Sequence, residues 1–353
     1  MKTTLCLALG AALFATGANA ENTTIRHVID GYVIPAYADF NEAVRDTREA
    51  MEQLCADPSY GGAERARQGF KALVETWSAA EPIRFGPITE DNRLERILFW
   101  PDRKGIGLRQ VQAAIANEDP TANDPLQLAQ KSVAMQGLGA LEFVLYGTGF
   151  EALETGEGHH RCEYGRAIVT NINQMMDAVQ TGWLDPKGIA TDWANPAAGN
   201  ALYRTDDEAL TEVLNVLVHG VELIRDVRLD GFLGATPEDD KPKQAIYWRS
   251  GNTTNALAAN LRGLNKLADA ADFASMLPAD SRWIPQSADF EFGNAERALA
   301  KLDAPVADML ADPEKRQTLG YVRLVTSSLS DILAVKLVAA LGLTAGFSSL
   351  DGD

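Results

Sequence analysis

Residues 69–82 read GFKALVETWSAAEP, and this stretch decides the class of fold. Its apolar residues recur at the three- and four-residue spacing of one helix face: Phe70, Leu73, Val74 and Trp77. Pro82 disfavours helical backbone at the preceding residue and so marks the end of this helix. Segments with the same spacing recur from end to end and strand signals are scarce, which predicts an all-α protein.

We predict two helical bundles packed together. Residues 183–200 are rich in Pro, Gly and Asn and form a connection between two helical halves. The expected division is an N-terminal bundle over residues 21–185 and a C-terminal bundle over residues 200–347. The expected helices cover residues 24–54, 63–81, 104–117, 125–147, 160–181, 206–229, 253–270, 288–311 and 316–342.

The first 20 residues have the pattern of a secretory signal peptide. A cation at Lys2 precedes an apolar run and a small-residue exit that ends at Ala20. Cleavage after Ala20 would deliver a soluble protein to the periplasm. No membrane insertion is expected, because the apolar run over residues 332–347 contains Lys336 and falls short of the roughly 20 residues that span a bilayer.

The chain is acidic, with a formal net charge of −17 over 353 residues. A negative surface repels phosphate backbones and anionic lipid headgroups, so nucleic acid and membrane surfaces are not expected partners. The hydrophobic content of 46% supports substantial cores.

Two cysteines, Cys55 and Cys162, remain once the signal peptide is removed. In an oxidising compartment, a disulfide between them is the default expectation. The alternatives are two separate buried thiols, or a ligand cluster of Cys162 with the neighbouring His159 and His160.

Two carboxylates fall on or beside apolar helix faces. Glu81 follows Trp77 by four residues, and Glu142 follows Leu138 by four. A carboxylate that faces a helical interior is costly unless a cation, a metal or a hydrogen-bonded ligand compensates it. The spacing leaves two interpretations open, a structural ion-pair network and a ligand pocket with aromatic walls. The candidate cations and aromatic residues nearby in sequence are Arg84, Arg93, Arg96, Arg103, Arg109, Arg161, Phe85, Phe99, Trp100 and Tyr164.

Conventional catalytic motifs are missing from the chain. It has no H-E-x-x-H, G-x-S-x-G, P-loop or C-x-x-C pattern. Its four histidines are too dispersed to favour a His-rich catalytic zinc site. Whether the protein is an enzyme therefore stays open, and the balance is against it.

Several segments together resemble the imelysin family, a group of exported helical proteins once classed as peptidases and related to iron-regulated proteins. The matching segments are EPIRFGP at 81–87, FWPD at 99–102, QGLGALEFVLYG at 136–147, RCEY at 161–164 and, more weakly, YWRSG at 247–251. The resemblance implies two helical bundles, a functional site near their interface, and a role in bacterial iron or other metal acquisition.

The chain departs from the family signature G-x-H-x-x-E at one position. Its corresponding residues are Gly137, Gly139 and Glu142, so glycine replaces the histidine. The third and sixth positions of the motif are neighbours on a helix, and here no imidazole stands beside the carboxylate. Glu142 could bind iron with help from Glu81, Asp102 or Tyr164, or it could receive a cationic group of an organic ligand or an arginine.

The leading expectation is a non-catalytic periplasmic protein that binds a small molecule or a metal and serves iron or metal uptake. Envelope uptake proteins are possible partners, and iron or another divalent metal is a possible cofactor, with Glu142 and Glu81 as its ligands. The expected site consists of Glu81, Arg84, Trp100, Asp102, Arg109, Gly139, Glu142, Tyr164 and Arg249. The alternatives are a metallopeptidase and an envelope scaffold whose buried charges only fix the packing of helices.

Overall fold

The computed structural model describes residues 23–343, and this part of the chain is helical without any strand, which confirms the all-α fold. Helical residues 23–33 run directly into the first long helix. The longer helices are α1 (Ile34–Ala56), α2 (Tyr60–Ala80), α3 (Ile106–Ala116), α4 (Leu138–Tyr146), α5 (His159–Leu184), α6 (Asp206–Glu222), α7 (Thr253–Ala271), α8 (Trp283–Leu299) and α9 (Pro313–Ser330). Wider turns of π-helix extend α6 over Leu223–Leu229 and α9 over Asp331–Leu337.

Helix α1 packs along both α2 and α5 in the N-terminal half. The helix face predicted from residues 69–82 is buried, and the ring of Trp77 lies 5.1 Å from that of Phe40 on α1. The predicted disulfide is present: Cys55 at the end of α1 joins Cys162 in the first turn of α5. This bridge ties together two helices that pack side by side.

Helices α6 to α9 pack in the C-terminal half, and α7 also lies along α2. The close approach of α7 to α2 depends on Gly263, where a Cβ atom would stand 2.4 Å from the carbonyl oxygen of Ala79. The two halves are therefore joined by direct helix packing as well as by the connecting segment.

The division at residues 185 and 200 stays a prediction. The predicted signal peptide and residues 344–347 lie outside the described residues.

The prediction of one helix over 125–147 is wrong. The chain forms short turns at Pro125–Leu128 and Val133–Met135, and α4 begins only at Leu138. The break follows from tertiary contact, because a Cβ atom at Gly137 would lie 2.2 Å from the carbonyl oxygen of Ile97. The backbone at Gly137 thus passes another segment too closely for a continuous helix with side chains.

Two other boundaries differ from the prediction. The helix expected over 288–311 ends at Leu299, and a separate short helix occupies Val306–Ala311 after Pro305. The connection over residues 183–200 contains a short helix, Ile189–Ala194, that buries Trp193 against the rings of Phe85 and Tyr203.

Among residues 23–343, no helix is long and apolar enough to span a bilayer.

Candidate functional site

The helix that carries Glu142 is short, and one arginine holds its carboxyl end. Arg161 on α5 donates hydrogen bonds to the carbonyl oxygens of Phe143 at 2.6 Å, Val144 at 2.7 Å, Gly147 at 2.9 Å and Thr148 at 2.8 Å. These carbonyl groups lie at and just beyond the carboxyl end of α4, where the last carbonyl oxygens of a helix lack intrahelical partners and a cation complements the helix dipole. Burial lowers the pKa of Arg161 to about 10, so its guanidinium stays charged at neutral pH. The position of α4 is thereby fixed.

Glu142 is buried in the middle of this helix, and the other half of the molecule supplies its partners. The backbone N–H of Ser250 donates to one carboxylate oxygen at 3.0 Å, and the Ser250 hydroxyl donates to the same oxygen at 2.9 Å. A guanidinium nitrogen of Arg249 lies 3.9 Å from the second oxygen. Burial raises the pKa of Glu142, while the Ser250 hydrogen bonds and the Arg249 charge act in the opposite direction.

A cavity of about 470 Å³ opens beside Glu142, between the two halves of the chain. Its walls come from three segments, residues 99–111, 134–143 and 227–249. This volume lies in the range of small-molecule sites. The aromatic and charged residues that line it are Phe99, Trp100, Phe143, Tyr247, Trp248, Asp102, Glu142, Arg103, Lys104, Lys243 and Arg249.

Gly139 lines the same cavity, one helical turn before Glu142. A Cβ atom at Gly139 would meet no other atom within 4 Å. The signature position that lacks its histidine therefore borders open space, and the backbone there would accept a side chain. The expectation of a space beside Glu142 matches this geometry.

Glu81 does not line the cavity and belongs to a separate buried network. Its carboxylate pairs with Arg228, whose side chain is fully buried. Arg228 also donates to the side-chain oxygen of Asn260, and the Asn260 amide donates to the carbonyl oxygen of Ser78 at 2.6 Å. The Arg228 guanidinium lies 5.9 Å from the ring of Trp100, which forms part of the cavity wall. This network connects α2 to the C-terminal half directly behind the cavity.

Five of the nine predicted site residues line the cavity: Trp100, Asp102, Gly139, Glu142 and Arg249. Asp102 uses both carboxylate oxygens to accept from backbone N–H groups, that of Ile106 at 2.9 Å and that of Leu108 at 3.1 Å. It therefore holds the start of α3.

Three predicted site residues lie away from both the cavity and the Glu81 network. Arg84 is exposed, although Ile83 before it is buried. Arg109 is also exposed, and it donates to the carbonyl oxygen of Lys104 at 3.0 Å. Tyr164 is buried, and its hydroxyl donates to the carbonyl oxygen of Met135 at 2.7 Å. The expectation that Arg84 and Arg109 balance the buried carboxylates is not met, because Arg228 and Arg249 take those positions.

Several residues of the site were not predicted from the sequence. Arg228 follows Ile224 by four residues and so continues the apolar face of α6, a signal that could have revealed it. Asn260, a polar residue amid the apolar residues of α7, gave a similar signal. Ser250 and Trp248 gave no signal in the helix spacing, because they lie in an irregular segment; the weak family match of residues 247–251 was the signal that could have revealed them.

The side chains do not assemble a metal site by themselves. Within residues 23–343, no group of three or more His, Cys, Asp and Glu side chains could hold a metal ion. Glu142 has a cation and two hydrogen-bond donors around it, and Glu81 is paired with Arg228. Cys162 is in the disulfide, so it cannot form a ligand cluster with His159 and His160.

These features define an all-α protein with a ligand-sized cavity between its two halves. The family model described as Imelysin (Peptidase M75) matches residues 33–330. The chain belongs to the imelysin family.

Relatives of the chain cover nearly its whole length. It is 22% identical over 330 residues to iron-regulated protein A of Synechococcus elongatus, and this alignment covers 90% of this chain and 86% of the relative. An imelysin-like protein from Psychrobacter arcticum has a similar structure, with a TM-score of 0.78 and 21% identity over 97% of this chain and all of that one. A putative iron-regulated protein A precursor from Parabacteroides distasonis has a TM-score of 0.73 and 14% identity, over 92% of this chain and 95% of the other. The family thus includes proteins named for iron regulation.

Proposed function

We propose that the protein is an exported, non-catalytic binding protein that serves iron or metal uptake and holds its ligand in the cavity beside Glu142. The observation that carries this proposal is the cavity itself, about 470 Å³ in volume and bordered by a buried carboxylate and by the open position at Gly139. The relatives named for iron regulation support the link to iron.

The two buried carboxylates correspond to the two interpretations that the sequence left open. Glu81 fits the structural ion pair, because Arg228 and Asn260 complete its surroundings in the protein interior. Glu142 fits the ligand site, because it borders a cavity that no arginine fills. A scaffold with buried charges alone would not need that cavity.

The donor set at the cavity does not suit a bare metal ion. Glu142 is the buried carboxylate there, Gly139 supplies no side chain, and the Asp102 oxygens already accept from two backbone N–H groups. A divalent cation would also lie close to the guanidinium of Arg249. A metal carried to this site would therefore need most of its ligands from another molecule.

Peptide hydrolysis on a metal would require a metal-bound water and a general base. Glu142 is the candidate base, but it already accepts two hydrogen bonds from Ser250 and faces Arg249. No contact in the described residues favours the metallopeptidase alternative over a binding site. Export to the periplasm rests on the pattern of residues 1–20, and contact with envelope uptake proteins follows from the proposed function.

The test compares two tryptophan substitutions in protein purified without chelators. Gly139→Trp would fill the cavity, whereas Gly320→Trp adds the same side chain to α9, where a Cβ atom also meets nothing within 4 Å. Binding of iron, supplied as Fe(II) and as ferric nitrilotriacetate, is measured by equilibrium dialysis and metal analysis. Thermal unfolding verifies that both variants fold.

We expect wild type and Gly320→Trp to bind one of the iron species equally well, and Gly139→Trp to lose at least tenfold in affinity. Equal binding by the two tryptophan variants would contradict a cavity site. Peptide hydrolysis by the wild type that disappears with a chelator and in Glu142→Gln would replace the proposal with the metallopeptidase.

A further inference from the structure

We propose that the cavity binds a small organic anion with a flat apolar body, and that iron enters as the complex of such an anion. This inference rests on the proposed function and names the chemical class of its ligand. It follows from the charge of the lining residues, from the hydrogen bonds that the two carboxylates among them accept, and from the aromatic walls.

Cations outnumber carboxylates at the cavity, although the chain as a whole carries a formal net charge of −17. The charged residues that line it are Arg103, Lys104, Lys243, Arg249, Asp102 and Glu142. Arg103, Lys104 and Lys243 form no ion pair within residues 23–343. A concave site lined by one sign of charge concentrates ligands of the opposite sign.

The two carboxylates oppose an anion less than their number suggests. Each carboxylate oxygen of Asp102 accepts one backbone N–H, from Ile106 and from Leu108, so the start of α3 compensates part of its charge. Glu142 accepts two hydrogen bonds from Ser250 on one oxygen and has the Arg249 guanidinium 3.9 Å from the other, so neighbouring groups of the protein compensate part of its charge. The cavity therefore presents a net positive field to a ligand.

Arg249 keeps hydrogen-bonding capacity for a ligand. The guanidinium nitrogen nearest to the Glu142 carboxylate lies 3.9 Å from its oxygen, which is beyond hydrogen-bond distance. The guanidinium lies 4.4 Å from the ring centre of Trp248 and 5.8 Å from that of Phe143. Stacking on these rings orients the planar fork, which suits the two oxygens of a carboxylate.

The walls suit a flat apolar body. Phe99, Trp100, Phe143 and Trp248 all line the cavity, and Phe99 remains 38% exposed. Aromatic walls favour planar ligands through stacking and area burial. An inorganic anion alone would not cover the exposed apolar surface of Phe99.

Two further features favour an anionic ligand. Helix α4 begins at the cavity without a side-chain cap, and Gly139 and Ala140 of its first turn line the cavity wall. The N-terminus of a helix attracts negative charge. In addition, Tyr247 is 3% exposed and lines the cavity, and its hydroxyl has no hydrogen-bond partner in the described residues.

The test uses calorimetric titration with 2,3-dihydroxybenzoate, with its ferric complex, and with Fe(II) free of chelators. The cavity variant Lys104→Gln/Lys243→Gln is compared with Lys266→Gln/Lys301→Gln, which removes the same charge from exposed positions outside the cavity. Arg249→Met and Arg249→Lys separate the charge of this residue from its planar geometry.

We expect one or both anionic probes to bind the wild type, more weakly at higher salt. The cavity double variant should weaken this binding roughly 2- to 30-fold, the range for two exposed ion pairs, and the control variant should not. Arg249→Met should weaken it further, and Arg249→Lys should restore part of the loss. Binding of the free anion identifies the anion as the ligand, and binding of the ferric complex alone identifies the complex.

Two results would overturn the inference. If Fe(II) binds and Gly139→Trp abolishes that binding while neither anion binds, the proposed function stands but its ligand is a cation. If no probe binds the wild type, or if the cavity and control variants weaken binding equally, the anion site is refuted. If the wild type also fails to bind ferric nitrilotriacetate, or binds an iron species that Gly139→Trp does not affect, the proposed function is refuted as well.

Discussion

The buried pair of Glu81 and Arg228 should be the strongest single tie between the two halves. The side chain of Arg228 is fully buried, and that of Glu81 is 6% exposed. Arg228→Met would leave the Glu81 carboxylate in the interior without a counter-charge, and Glu81→Met would do the same to the guanidinium. Both substitutions keep an unbranched apolar side chain at the site.

Breaking such a buried pair costs about 3–5 kcal/mol, since one charge stays uncompensated. For a chain of 353 residues, one kcal/mol corresponds to roughly 1.5 °C in the unfolding midpoint. Each single variant should therefore unfold about 4–8 °C below the wild type. The double variant should lose less than either single one, about 1–3 kcal/mol, because what remains is mainly the unpaired oxygen of Asn260.

The assay is thermal and urea unfolding of the four proteins followed by circular dichroism. Arg48 and Glu52 provide the control, because they form an exposed pair of the same residue types at 2.9 Å on α1. Arg48→Met should cost no more than about 0.5 kcal/mol. If Arg228→Met behaves like Arg48→Met, or if the double variant loses the sum of the two single losses, Glu81 and Arg228 do not stabilise the protein as a buried pair.

Three other predictions concern residues at or near the cavity and the disulfide. Burial raises the pKa of Glu142 above that of an unfolded glutamate, which is about 4.3. The stability of the wild type relative to Glu142→Gln should therefore rise as the pH falls from neutral and level off below about 4.3. Urea unfolding at several pH values measures this difference. Replacing Cys55 and Cys162 by serine opens a link across 107 residues and should cost about 2–4 kcal/mol, and the reduced wild type should unfold at the same midpoint as this variant. Gly139→Ala should stabilise the protein by about 0.5–1 kcal/mol in the same assay, whereas Gly137→Ala, whose Cβ would strike the backbone of Ile97, should destabilise it by at least about 1–3 kcal/mol.

The class of fold was predictable because the apolar spacing of the long helices is local information. The face of α2 that contains Phe70 and Trp77 is buried as predicted. The break before α4 was not predictable, since it arises where Gly137 passes the backbone of Ile97, 40 residues earlier in the chain. A contact between distant segments leaves little trace in a hydrophobic pattern.

The candidate site was predictable in part for the same reason. Glu142 and Gly139 could be located from the helix spacing and the family signature, and both border the cavity. The partner of Glu81 was sought among nearby cations such as Arg84, but Arg228 lies 147 residues further along the chain. Helix spacing indicates that a charge is buried, but it does not identify the distant residue that compensates it.

The most direct measurement is a crystal structure of the protein soaked with the ferric complex of 2,3-dihydroxybenzoate, with anomalous data collected at the iron edge. We predict one iron peak in the cavity between Trp100 and Arg249, with a carboxylate or catecholate oxygen of the ligand within hydrogen-bond distance of the Arg249 guanidinium. Iron bound directly to Glu142 without an organic ligand, or found only on surface carboxylates, would contradict the anion site.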